Sequence, residues 1–346
     1  MSHRVRGAEG LSALQVPDQD LDNRYRLGGL QSLAAAGREH CPIGASTAPR
    51  DRAPFQPSIS SKFQEALNAT RSRVGCSHCL MNAPTVLILA LLVGASVAFY
   101  LRIFRFIYLQ AGGKVVATHF ARVDGYLVVG CVTMFLVQAL QGLKGSRGAL
   151  PASIDTTFLF LVQLGFWIFV IGTIVLSLVL RGLHPSALFG FDRLGFSKVF
   201  LLGLGLLLAA MPLILASSTV TSNFLRADPQ QDTQPIMQLF EQSNDPGKRV
   251  PLIMLAVVIA PISEEFVFRG FLYGVLKRFA GALPALVFSA LLFGLIHMHI
   301  PSLLPLFLLG CVLTLAYELS GSLLVPMTMH AFFNTLTLVQ VFFASR

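Results

Sequence analysis

The 346-residue chain is 54% hydrophobic and only 12% charged, with a mean hydropathy of +0.68. Soluble domains carry about a quarter charged residues, so this composition excludes most soluble readings. The net charge of +9 is modest and is spread along the connections between apolar runs, as an anionic membrane surface favours. The 28 Phe sit inside those runs and not on a basic, base-stacking face, so no nucleic-acid partner is expected.

Residues 1–83 hold ten Lys/Arg and seven Asp/Glu, with Gly, Ser and Ala between them and no sustained periodicity. Such a segment has too little apolar surface for a core and is expected to be a polar, disordered tail. Its place before the first apolar run, and its polarity, set it apart from a signal peptide. Met81 is an alternative start. Cys76-Ser-His-Cys79 has the spacing of half a zinc site, but no second pair completes four ligands, so it reads as incidental. Cys131 and Cys311 lie in apolar runs and read as small hydrophobes.

Beyond residue 83, apolar runs near the roughly 20 residues that cross a bilayer recur. The expected spans are 84–109, 125–143, 156–180, 199–220, 250–279, 282–298, 302–319 and 323–343. Backbone polar groups within lipid must pair inside their own segment, so the fold class is all-α, a polytopic membrane bundle of about eight helices. The chain divides into the tail, N-terminal transmembrane helices at 84–220, a polar loop at 221–249, and a C-terminal membrane core at 250–346. Within the loop, 235–240 is a candidate interfacial helix, and Asn244-Asp-Pro-Gly247 is a turn signal.

Ionisable residues inside membrane spans are costly and therefore informative. Glu264, Glu265 and Arg269 lie in the fifth run, His297 closes the sixth, and His330 and Asn334 lie in the eighth. Glu265 and Arg269 are four apart, on one helix face and in the favourable order for an ion pair. Glu264 lies about 140° around the helix from Arg269 at 3.6 residues per turn. Arg269 therefore pairs with Glu265, and Glu264 is left with a carboxylate that suits a general base. Pro261 removes an amide donor and frees the carbonyl of Val257. His330 and Asn334 share a face and can both donate to a developing oxyanion; His297 can orient water or act as a second base. Glu318, near a span end, reads as structural. His299 lies about 200° around the helix from His297 and reads as interfacial.

The order Glu-Glu-x-x-x-Arg, Phe-x-x-x-His, His-x-x-x-Asn resembles the CAAX-prenyl-protease and bacteriocin-processing (CPBP, Abi) family and is similar to the Rce1-type CAAX endopeptidases. The similarity runs from about Ala260 to Asn334. It implies an intramembrane endopeptidase in a bacterial plasma membrane, acting on a membrane-associated protein or peptide. Glu264 aided by His297 would activate water, His330 and Asn334 would stabilise the oxyanion, and Glu265 and Arg269 would support them. No cofactor is expected, because no His-Glu-x-x-His pair exists; were zinc bound, Glu264, His297 and His330 would hold it. Prenylated substrates are not implied.

The same carboxylates and Pro kink suit a proton-coupled transporter, although no inverted repeat is evident. A catalytically idle scaffold or immunity protein of the same family is the third reading. A rhomboid-type Gly-x-Ser-Gly nucleophile is absent.

Overall fold

The computed structural model describes residues 83–145, 156–225, 239–240 and 245–344. The expected tail, with Cys76 and Cys79, lies outside the described residues, as does most of the polar loop. Of the candidate interfacial helix only Leu239 and Phe240 are described, and both are helical, with Phe240 buried.

Among the described residues the chain is helical, with no strand. Each apolar run forms a helix: α1 (Ala83–Arg105, continued by a π-type turn, Phe106–Ala111), α2 (Arg122–Gly145), α3 (Thr156–Leu180), then, after a short α4 (Pro185–Phe189), α5 (Phe196–Leu225). α6 runs unbroken over Pro246–Ala280 and is followed by α7 (Ala282–Leu295), α8 (Ile300–Ser320) and α9 (Leu324–Ala344). α4 has no apolar run to announce it. It starts on Pro185, whose fixed φ suits a first turn, and stops at Gly190 in the left-handed region with φ 67°.

Five of these helices, α1, α3, α5, α6 and α8, are long and apolar enough to cross a membrane. Among the described residues α2, α7 and α9 do not meet that measure, and α7 falls short of it by length. The expected run to residue 298 ends at Leu295, and its 14 residues span only about 21 Å, short of the ~30 Å hydrocarbon core. The chain is an integral, multi-pass membrane protein. Leu87, Ile88, Leu91, Ile168 and Phe169 stand exposed on α1 and α3, an apolar surface that lipid covers and water would not.

Lipid tails are as apolar as Leu, so close packing and polar staples hold such helices together. Tyr100 and Ser96 of α1 donate to the α5 carbonyls of Leu206 (2.5 Å) and Ala209 (2.6 Å). Asp124 at the start of α2 accepts from Arg181 at the end of α3 (2.9 Å) and from the Ala121 amide (2.7 Å). Glu318, fully buried near the end of α8, accepts from the Tyr273 hydroxyl (2.5 Å), the Val115 amide (3.2 Å) and the Lys277 ammonium. It ties α6, α8 and the segment after α1 into one structural joint.

Gly310 lets α8 approach α7: a Cβ there would meet Ala290 Cα and Cβ at 2.9 Å. Gly310→Val is expected to destabilise the protein by about 1–3 kcal/mol through overpacking. Thermal unfolding in detergent measures this, and an unchanged midpoint would contradict the close crossing.

Candidate active site

Three local peculiarities place the polar residues. The first is in α6, which contains two π-type stretches, Leu255–Ile259 and Phe266–Leu272, on either side of Glu264 and Glu265. In the first stretch the Ala260 amide bonds back to Leu255, five residues away. In that register the missing N–H of Pro261 faces Ala256, not Val257 as a regular helix would have it. The carbonyl of Ala256 accepts instead from Asn334 Nδ2 of α9, at 2.7 Å. Interruptions of this kind are frequent at functional sites.

The second is the pair of acids. Arg269 Nη1 donates to Glu265 Oε1 at 2.8 Å, the pairing read from the four-residue spacing. Both side chains are buried, and Arg269 also lies over the Phe293 ring at 4.1 Å. His330 Nδ1 stands 2.9 Å from the same oxygen, and in the tautomer that carries the proton there the imidazole N–H donates to the carboxylate. Glu264 is placed differently. Its carboxylate is 13% exposed, and its Oε2 has no hydrogen-bond partner among the described residues and lies 3.9 Å from His330 Nε2.

The third is the turn after α7. His297 Nδ1–H donates to the Phe293 carbonyl at 2.7 Å, which leaves Nε2 of the neutral ring a bare acceptor. Met298 follows with φ 55°, a left-handed conformation that costs energy for a side chain of its size. This kink removes the angular basis for the reading of His299. The helix has already ended, so the angular argument does not apply, and His299 lines the same cavity as His297. His299 Nδ1 also meets the Ser302 hydroxyl at 2.7 Å. Pro301, two residues on, was the readable signal that no helix continued through it.

Glu264, His297, His330 and Asn334 together line one cavity of about 480 Å³. Glu265 and Arg269 are not in its wall. Non-helical backbone at membrane depth is tolerated where it lines such a cavity, and the 296–299 turn does so. Phe293 is the hub behind it, its ring edge-on to His297 (4.9 Å), His330 (5.7 Å) and Phe268 (5.6 Å). Helices outside the motif-bearing ones contribute as well, among them α3 through Gln163 and Trp167. A Gln four residues before the single Trp of an apolar run was the signal available for them.

His330 spends Nδ1 on Glu265 and holds Nε2 3.9 Å from Glu264. Among the described residues, no three His, Cys, Asp or Glu side chains are grouped to hold a metal ion.

Residues 246–336, from the start of α6 into α9, match the family model described as Type II CAAX prenyl endopeptidase Rce1-like. The Bacillus subtilis (strain 168) protein named "Putative membrane peptidase YdiL" is 26% identical over 111 residues, which are 32% of this chain and 43% of that protein. The chain thus matches less than half the length of this relative. No solved structure matches. The segment that carries Glu264, His297, His330 and Asn334 is thus similar to the Rce1-like membrane endopeptidases over about a quarter of the chain.

Proposed function

We propose that the protein is an intramembrane endopeptidase of a bacterial plasma membrane, hydrolysing a peptide bond of a membrane-associated protein or peptide. The observation that carries this reading is the division of labour between two adjacent carboxylates. Glu265 gives its Oε1 to Arg269 and His330 and is not in the cavity wall, whereas Glu264 lines the cavity. A water between Glu264 and the bare Nε2 of His297 has an acceptor for each of its protons. As its oxygen adds to the scissile carbonyl, Glu264 takes one proton and later passes it to the leaving amine.

The carbonyl oxygen then carries the negative charge. Asn334 gives one amide N–H to Ala256 and keeps the other for this oxyanion. His330 holds its Nδ1–H on Glu265, so its Nε2 donates to the oxyanion when the ring carries both protons. In that state Glu264 is neutral, and the charges of the oxyanion and Glu265 balance those of Arg269 and His330. No step needs a metal.

The test uses the full chain purified into lipid vesicles and supplied with solubilised membrane proteins. New protein termini are expected, and their formation is expected to persist in strong chelators. Cleavage lost in chelator and restored by zinc would overturn the metal-free mechanism and make Glu264, His297 and His330 ligands. Proton flux through the vesicles without any cleavage would favour the transporter reading.

A further inference from the structure

Trp167 is the sole tryptophan of the chain. It belongs to α3, outside the family-matched segment, yet it lines the cavity that Glu264 and His297 line. The residue is 4% exposed, and its Nε1 is buried with no hydrogen-bond partner among the described residues. A buried indole N–H ordinarily finds an acceptor. Leaving it unpaired forfeits the bond that water supplied, so the vacancy asks for an explanation.

The indole is also held in place. It packs against Phe166 edge-on (5.2 Å) and against Phe135 (6.3 Å), and Phe135 stacks on Phe268 (5.3 Å). Phe268 leads through Phe293 to His297 and His330. This chain of rings fixes the N–H relative to the residues proposed for the chemistry. Gln163, one helical turn before Trp167 and on the same face, lines the cavity too. Its carboxamide offers both a donor and an acceptor.

We propose that Trp167 Nε1–H donates to a backbone carbonyl of the bound peptide, with Gln163 beside it, so that α3 forms a substrate-binding wall opposite the catalytic helices. This rests on the endopeptidase reading of the cavity. A membrane-embedded segment must unwind before a scissile carbonyl can be attacked. Unwinding releases C=O groups that lipid cannot satisfy. A fixed, unpaired N–H on a residue that lines the cavity is the complement of such a group. A purely apolar occupant would leave it unmet.

The sole indole makes the test direct. The full chain carrying the Glu264→Gln substitution, with its tryptophan nitrogen isotope-labelled, is placed in lipid nanodiscs, where one Nε1–H resonance reports on Trp167. The blocked peptide acetyl-Leu-Leu-Leu-amide is expected to move that resonance downfield saturably. Decane, an apolar occupant without an acceptor, is expected not to. Binding of dansyl-Leu-Leu-Leu-amide, read by anisotropy, is expected to weaken roughly five- to tenfold in Trp167→Phe, which keeps the ring packing and removes the donor. An unmoved resonance with the peptide, an equal shift with decane, or unchanged dansyl-peptide affinity in Trp167→Phe would overturn the proposal. The two readings fail separately. Full turnover in Glu264→Gln with the indole shift intact sinks the catalytic assignment alone; lost turnover with a silent indole sinks the binding wall alone.

Discussion

Glu264→Gln is expected to lower turnover by about 10²- to 10⁴-fold, the usual contribution of a positioned general base. The thermal unfolding of the variant should match that of the unsubstituted chain. Gln has the same shape, and the carboxylate it replaces is partly exposed and lies 3.9 Å from His330 Nε2, beyond hydrogen-bond reach, so no direct bond is lost. Turnover on a verified substrate and a melting profile, measured on the same preparation, check both halves. Full turnover would remove Glu264 from the role of base.

The neighbouring acid should behave in the opposite way. Glu265 and Arg269 are both buried, and breaking such a pair by removing one partner costs about 3–5 kcal/mol, because the remaining charge is uncompensated. Glu265→Gln and Arg269→Met are each expected to lower expression and unfolding temperature markedly. Glu265→Gln also takes a charged acceptor from His330 Nδ1. The double variant should lose much less stability than the two single losses added together, as coupled residues do. Additive losses would mean that the pair is not the joint the 2.8 Å contact describes.

The membrane plan was readable because the bilayer is a strict solvent. A backbone segment crossing it must be helical and about 20 residues long, and so α3 begins and ends where its apolar run does, at 156 and 180. The Glu265–Arg269 pair was readable from helical spacing alone. What spacing does not carry is local departure from 3.6 residues per turn. The π-type stretch moved the carbonyl left free by Pro261 from Val257 to Ala256, and only the three-dimensional arrangement brings Asn334 to it. The left-handed Met298 likewise ended the helix on which the placement of His299 depended. Trp167 and Gln163 enter the cavity through a contact between helices distant in sequence, and periodicity within one helix is blind to that.

Cleavage that depends on Glu264 is the central claim, and mapping protein termini in membranes tests it most directly. Cells producing the unsubstituted chain are compared with cells producing Glu264→Gln at equal abundance. The expected result is a set of new internal termini, in membrane-associated proteins, present with Glu264 and missing with Gln. Identical sets of termini from the two membranes, with both proteins inserted and equally abundant, would contradict it.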